Sequence, residues 1–229
     1  MLGPVTDKAS DSLADFVAAR PAAVGDEEAL GLARQEAEEL GLALPDEQTG
    51  RLLATLAAAG SHPDSSGAIA VTPAAGVVSL YLLRGLAEGL TVTGIDPEAE
   101  HKRQAALALK RAGYRPGAGR FLTSQPLDVL GRMAEGSYQL VYLDVDPRDA
   151  SALLAAAWPL LSPGGSLVVA DLLLDGTVAQ ASRTDRVTAA ARAAIEEAEE
   201  LGRATGDGPA PAVVTHLPLG AGMTVVTRR

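Results

Sequence analysis

From residue 68 onward, short apolar runs alternate with longer stretches of helical spacing, and this alternation restricts the chain to one kind of architecture. Strands are expected at 68–72, 91–95, 119–123, 139–144 and 166–170, with helices at 75–89, 98–113, 126–134 and 148–160 between them. Such a repeat builds a parallel sheet with right-handed crossovers and helices on both faces. The runs "LVYLDV" and "SLVVAD" are almost continuously apolar, as central parallel strands must be. A long helix at 181–203 then breaks the alternation, and "AVVTHLPL" and "MTVVTRR", joined by "GAG", read as an antiparallel hairpin. The expectation is an α/β fold with a mostly parallel seven-stranded sheet that ends in that hairpin.

Upstream, residues 8–60 read as three helical pieces, "SDSLADFVAAR", "GDEEALGLARQEAEELG" and "PDEQTGRLLATLAAAG". The turn-rich "GSHPDSSG" separates them from the sheet, so the expected division is a helical segment over 1–60 and an α/β domain over 61–229. The 229 residues suffice for a substantial core, and with aromatics at 3% that core must be Ala, Leu and Val. A net charge of −10 without clustered Lys and Arg argues against nucleic acid as a partner. The absence of cysteine excludes disulfides, thiolate metal sites and a cysteine nucleophile. The start "MLGPVTDKASDSLADF" has no charged leader followed by an apolar core, and no run approaches the ~20 apolar residues of a membrane span. A cytoplasmic protein with no membrane partner is expected.

In an open doubly wound sheet the ligand lies outside the carboxyl ends of the strands. Those ends are polar here: Thr72-Pro73, Asp96, Thr123-Ser124-Gln125, Asp144-Val145-Asp146 and Asp171. Asp96 in "TVTGIDPEAEH" closes the second strand about twenty residues beyond the first turn, where an acid can accept from both hydroxyls of an adenosine ribose. The alternative is a helix cap, with Pro97 at the first helical position. Asp144 and Asp146 can bind a hard cation or accept from a cofactor amine, with Asp171 arriving from the neighbouring strand; the alternative is that they are solvated loop carboxylates. His101 reads as a solvated helix residue, because imidazole needs a placed partner to act as a base. His62 and His216 have no acid or nucleophile at a suggestive spacing, Met133 and Met223 read as core filler, and "EEAEE" at 196–200 as a wet helix face.

Taken together, "GAIAVTPAAGVVSLYLLRGL", "TVTGIDPEAEHKRQA", "SYQLVYLDVDP", "LLSPGGSLVVADLLLDGTV" and "LPLGAGMTVV" resemble the small bacterial O-methyltransferases of the catechol and caffeoyl-CoA type. The resemblance runs in order from about residue 25. It implies a Rossmann-like class I methyltransferase fold that uses S-adenosyl-L-methionine (SAM), with Mg2+ or another divalent cation in metal-dependent members. It also implies a small hydroxylated, catechol-like acceptor and a homodimer whose N-terminal helices cap the cleft. The first SAM loop falls on Ala70, Thr72, Pro73, Ala74 and Gly76, of which only Gly76 keeps the family residue. The serine that holds the methionine carboxylate falls on Val78, with Ser79 adjacent as a substitute.

By the same resemblance, Asp96, followed by Pro97, matches the ribose acid, and Ser124 and Gln125 match the positions flanking the adenine. Asp144 matches the aspartate that contacts the cofactor and, in metal-dependent members, the cation; it is the candidate catalytic residue. Asp171 is the second metal candidate, standing within a poorly kept Asp-Asn pair, and Pro147 replaces a lysine.

Proline in the first loop removes an N–H and fixes φ, while alanine in place of glycine adds a methyl group. SAM carries no phosphate and depends less than a dinucleotide on a bare glycine loop. Three readings follow: a SAM-dependent O-methyltransferase, a non-catalytic SAM-binding or scaffold homologue with a decayed site, and an NAD-dependent oxidoreductase. Pro73, Ala74 and the terminal hairpin disfavour the third.

Overall fold

The computed structural model describes Phe16, residues 26–204 and residues 208–229. Apart from Phe16, the helix expected over "SDSLADFVAAR" lies outside the described residues. The sheet comprises β1 (Gly67–Val71), β2 (Thr91–Asp96), β3 (Gly119–Thr123), β4 (Tyr138–Leu143), β5 (Leu161–Val169), β6 (Ala212–Leu217) and β7 (Met223–Arg228). Their order is β3-β2-β1-β4-β5-β7-β6. Strands β1 to β5 pair in parallel, and β7 runs antiparallel to both β5 and β6, as the hairpin predicted. Every residue of β1 and β4 is buried, because helices cover both faces of the central strands.

The helices are α1 (Glu27–Glu39), α2 (Glu47–Ala59), α3 (Ala75–Gly85), α4 (Ala99–Arg111), α5 (Pro126–Leu130), α6 (Pro147–Ala157) and α7 (Arg186–Leu201). Side-chain carboxylates set three of their starts: Asp46, Asp146 and Asp185 accept from the N–H groups of Thr49, Arg148 and Thr188. Five boundaries depart from expectation. α3 ends at Gly85, four residues short. α5 is one short turn and a half, since Gly131 ends it at once. α6 stops at Ala157 and Pro159 continues as a 3-10 turn over Trp158–Leu160. β5 begins at Leu161, absorbing "SPGG" through a register shift against β4. The long helix starts at Arg186, preceded by a 3-10 segment over Leu174–Ala179 that the periodicity did not show.

The N-terminal helices pack into the same core as the sheet. Leu53 and Ala57 of α2 join Val78, Leu82, Tyr142 and Val168, while Leu30, Ala33 and Ala37 of α1 join Leu80, Tyr81 and Leu109. α2 and α3 approach so closely that a Cβ on Gly85 would lie 1.9 Å from the Ala54 carbonyl oxygen, and one on Gly50 would lie 2.3 Å from the Tyr81 ring. A polar network runs through this contact. Arg84, with 5% of its side chain exposed, pairs with Asp26 at 2.6 Å and lies over the Tyr81 ring. The Tyr81 hydroxyl donates to Glu47 and accepts from Arg34. Burial, together with the Glu47 carboxylate, pushes the Tyr81 hydroxyl up to about 12, so it stays a donor.

Candidate active site

The strand order reverses between β1 and β4, and the loops that leave them diverge to opposite faces. At that point the carboxyl ends of β1, β2 and β4 border a cleft of about 360 Å³. Thr72 and Pro73 line it from the turn after β1, Asp96 and Pro97 from the end of β2, Gln125 from the start of α5, and Asp144 from the end of β4. Six of the site residues expected from the sequence therefore share one cleft. Ile95, Leu127 and Leu153 give it an apolar wall. Asp146 and Asp149 also line it, making four carboxylates, and no lysine, arginine or histidine is among the lining residues described.

Asp144 is largely buried. Its Oδ2 accepts from Thr72 Oγ1 at 2.9 Å, and Thr72 Oγ1 in turn accepts from the Ala74 N–H at 3.1 Å. Burial pushes the Asp144 carboxyl up; the Thr72 hydrogen bond opposes this and the nearby Asp171 charge adds to it. Asp146 behaves oppositely. Its hydrogen bonds from the Arg148 side chain and backbone hold it down at about 2, and it serves as the cap of α6.

Asp96 does not cap α4: the cap position is Glu98 and the helix starts at Ala99, so Pro97 is not its first residue. Its Oδ1 accepts from the Glu98 N–H at 2.7 Å, a local turn bond at the helix entrance, while the residue also lines the cleft. The same oxygen lies 2.9 Å from His101 Nδ1. His101 is therefore a placed, largely buried imidazole, which corrects the expectation of a solvated one. An Asp and a His five residues apart across a helix start was the signal available for it.

The other candidates fall elsewhere. Ala74 and Gly76 line a small pocket beside the cleft, and Gly76 lets α3 lie against α4, since a Cβ there would come within 3.2 Å of Ala105. Ser79 is fully buried inside α3 and its Oγ has no hydrogen-bond partner, so it does not reach the cleft. Val78 is equally buried. Ser124 lines a neighbouring groove that shares Gln125 with the cleft. No described residue of α1 or α2 is among those lining the cleft; α1 borders the small pocket through Ala33, Glu36 and Ala37.

Asp171 stands at the end of β5, beside β4, with φ of 52°. Its Oδ1 accepts from the Ala221 N–H at 2.8 Å, which ties it to the turn between β6 and β7. Among the described residues no three His, Cys, Asp or Glu side chains converge as metal ligands. Of the two metal candidates only Asp144 lines the cleft; Asp171 is not among its lining residues. No helix of the described residues is long and apolar enough to cross a membrane.

Residues 74–172 match a family model described as a methyltransferase domain. A protein of Mycobacterium sp. (strain JLS) named "Putative O-methyltransferase" is 33% identical over 213 residues, covering 93% of this chain and 92% of its own length. A relative of the same description in Mycobacterium leprae (strain Br4923) is 33% identical over 224 residues, covering 97% and 95%. A crystal structure of a Corynebacterium glutamicum protein superposes with a TM-score of 0.88 at 51% identity, over 96% of this chain and 97% of that one. The O-methyltransferase TomG of Streptomyces achromogenes, solved with SAM, shares the fold at a TM-score of 0.76 and 23% identity, over 95% and 96% of the two chains.

Proposed function

The chain belongs to the O-methyltransferase family, and from that premise we propose that it transfers a methyl group from SAM to a hydroxyl of a small, catechol-like acceptor. The observation that carries the reading is the charge of the cleft: four carboxylates, an apolar wall and no basic side chain. SAM brings a sulfonium, an ammonium and a nucleoside, which suit such a surface. The pyrophosphate of NAD would meet carboxylates where it needs N–H donors, so the nicotinamide reading has no support.

Asp96 accepts the ribose hydroxyls through Oδ2, which has no partner among the described residues, with Gln125 and Leu127 beside the adenine. SAM held there would supply an electrophilic methyl carbon to the acceptor oxygen, the electron pair of the broken carbon–sulfur bond going to sulfur. The protein aligns the acceptor and removes its proton. Asp144 is the base: it sits in the cleft, and its raised pKa brings it closer to the hydroxyl it must deprotonate than an ordinary carboxylate would be. Thr72 fixes which oxygen of Asp144 is engaged, leaving Oδ1 for the proton.

Asp171 lies outside the cleft lining and leaves Asp144 without its expected metal partner, so no step of this reading passes through a divalent cation. Turnover is expected to be unchanged by EDTA; loss on chelation with recovery on added Mg2+ would overturn this part of the reading.

The decisive measurement is isothermal titration with SAM and S-adenosylhomocysteine. Binding of both is expected, with a rise in melting temperature that Asp96→Ala removes; no binding of either at millimolar concentration would sink the proposal. Methyl turnover against a panel of catechols then separates the enzyme from a binding-only homologue. The reading includes a homodimer, for which light scattering should give twice the 23.3 kDa chain mass.

A further inference from the structure

The carboxylate assigned to the ribose is not free to turn. Asp96 Oδ1 takes two contacts, the Glu98 N–H at 2.7 Å and His101 Nδ1 at 2.9 Å, while Oδ2 has no partner among the described residues. Both side chains are mostly covered, with 12% of Asp96 and 15% of His101 exposed. Facing a carboxylate, the imidazole makes a bond only when Nδ1 carries the proton, so Asp96 selects that form of the ring. Two donors on one oxygen then fix the carboxylate plane and leave the other oxygen for the cleft.

His101 lines the small pocket between α1, α4 and the 73–76 turn, whose volume of about 10 Å³ is roughly that of one water. Glu36 lines the same pocket, with Oε1 paired to Arg111 and Oε2 buried without a partner. The charged groups around the imidazole are therefore Asp96, Glu36 and, on its own helix, the exposed Glu100, which is paired to Arg103. An apolar ring of similar size would supply no donor to Asp96.

We propose that His101 is a positioning residue for cofactor recognition: its Nδ1–H holds Asp96 in the rotamer that presents Oδ2 to the ribose hydroxyls. The inference rests on the reading of Asp96 as the ribose acid. The test compares S-adenosylhomocysteine with its 2′-deoxyribose analogue by titration calorimetry on the full chain. The parent should prefer the ribose form. His101→Phe should weaken S-adenosylhomocysteine about tenfold, the worth of one hydrogen bond to a charged group, and erase most of that preference. His101→Asn, whose amide N–H falls near the lost Nδ1–H, should restore it, whereas His101→Gln, whose amide lies one bond further out, should not. In an Asp96→Asn background His101→Phe should have little added effect. A merely structural role would weaken both ligands alike, with no rescue by asparagine, and would overturn the proposal. If the parent binds neither ligand, the assignment of SAM falls and takes this inference with it. If parent and Asp96→Asn behave as assigned while His101→Phe discriminates like the parent, the inference alone falls.

Discussion

Asp144→Asn is expected to lower turnover by about 10²- to 10⁴-fold, the usual worth of a positioned general base, while leaving the melting temperature at or above that of the parent. The two effects have one cause. Burial makes the charged carboxylate unfavourable in the folded state, so its native pKa stands above its unfolded one. Between those two values the native state binds more protons than the unfolded state, and stability contributed by this group is lost as pH rises through the native pKa. Asparagine keeps an acceptor for Thr72 and removes the buried charge. The corresponding activity profile has the opposite sign: turnover in the parent rises with pH as Asp144 ionises, and its acid limb should lie above the ordinary carboxylate range. Parent-like turnover in Asp144→Asn would remove Asp144 from the chemistry.

Gly85→Ala is expected to destabilise the protein by about 3 kcal/mol, at the upper end for overpacking, because the new methyl group meets backbone rather than a side chain that can swing away. For a chain of this size that is a fall of roughly 6–12 °C in melting temperature. The damage should fall on the α2–α3 contact, since relieving the clash with the Ala54 carbonyl means lifting one helix from the other. Gly31→Ala is the control, because a Cβ there meets nothing within 4 Å and alanine has the better helix propensity. Equal melting temperatures for the two variants would show that α2 and α3 do not approach as described.

Both effects concern residues whose meaning was unevenly legible in the sequence. The sheet order followed from alternation, and the strand-end rule found Thr72, Asp96 and Asp144, because the carboxyl end of a strand in this architecture faces the ligand whatever the helices do. Where the rule had to be supplemented by helix phase, it failed. Ser79 lies one position past the buried Val78 and is buried too, since the upper half of α3 is covered all round. Gly76 reads as a loop glycine in one dimension and proves to be the contact with α4 in three. Asp149 and Leu127 entered the cleft through the paths of α6 and α5, which no local pattern encodes. The early start of β5 was hidden by Pro163 and Gly164, which look like a turn but are taken up at an exposed irregularity in the strand. His101 was visible as a residue and invisible as a partner, because its value depends on which way Asp96 turns.

The end of the sheet bears on how the chain is made. β6 pairs with β7 alone, and β7 is the strand that joins it to β5. During synthesis β6 therefore emerges before its native partner, and it takes its place in the sheet only after the later strand has left the ribosome. The same late event closes the segment after β5: Leu173 and Asp175 donate to the Gly222 and Ala221 carbonyls, and Ala221 donates to Asp171. Asp171 and Asp175, both held at positive φ, keep that strained backbone only once these bonds exist. A nascent chain arrested before β7 would carry the complete parallel half of the sheet with an exposed β5 edge, the form in which this protein is most open to a chaperone or to a second copy of itself.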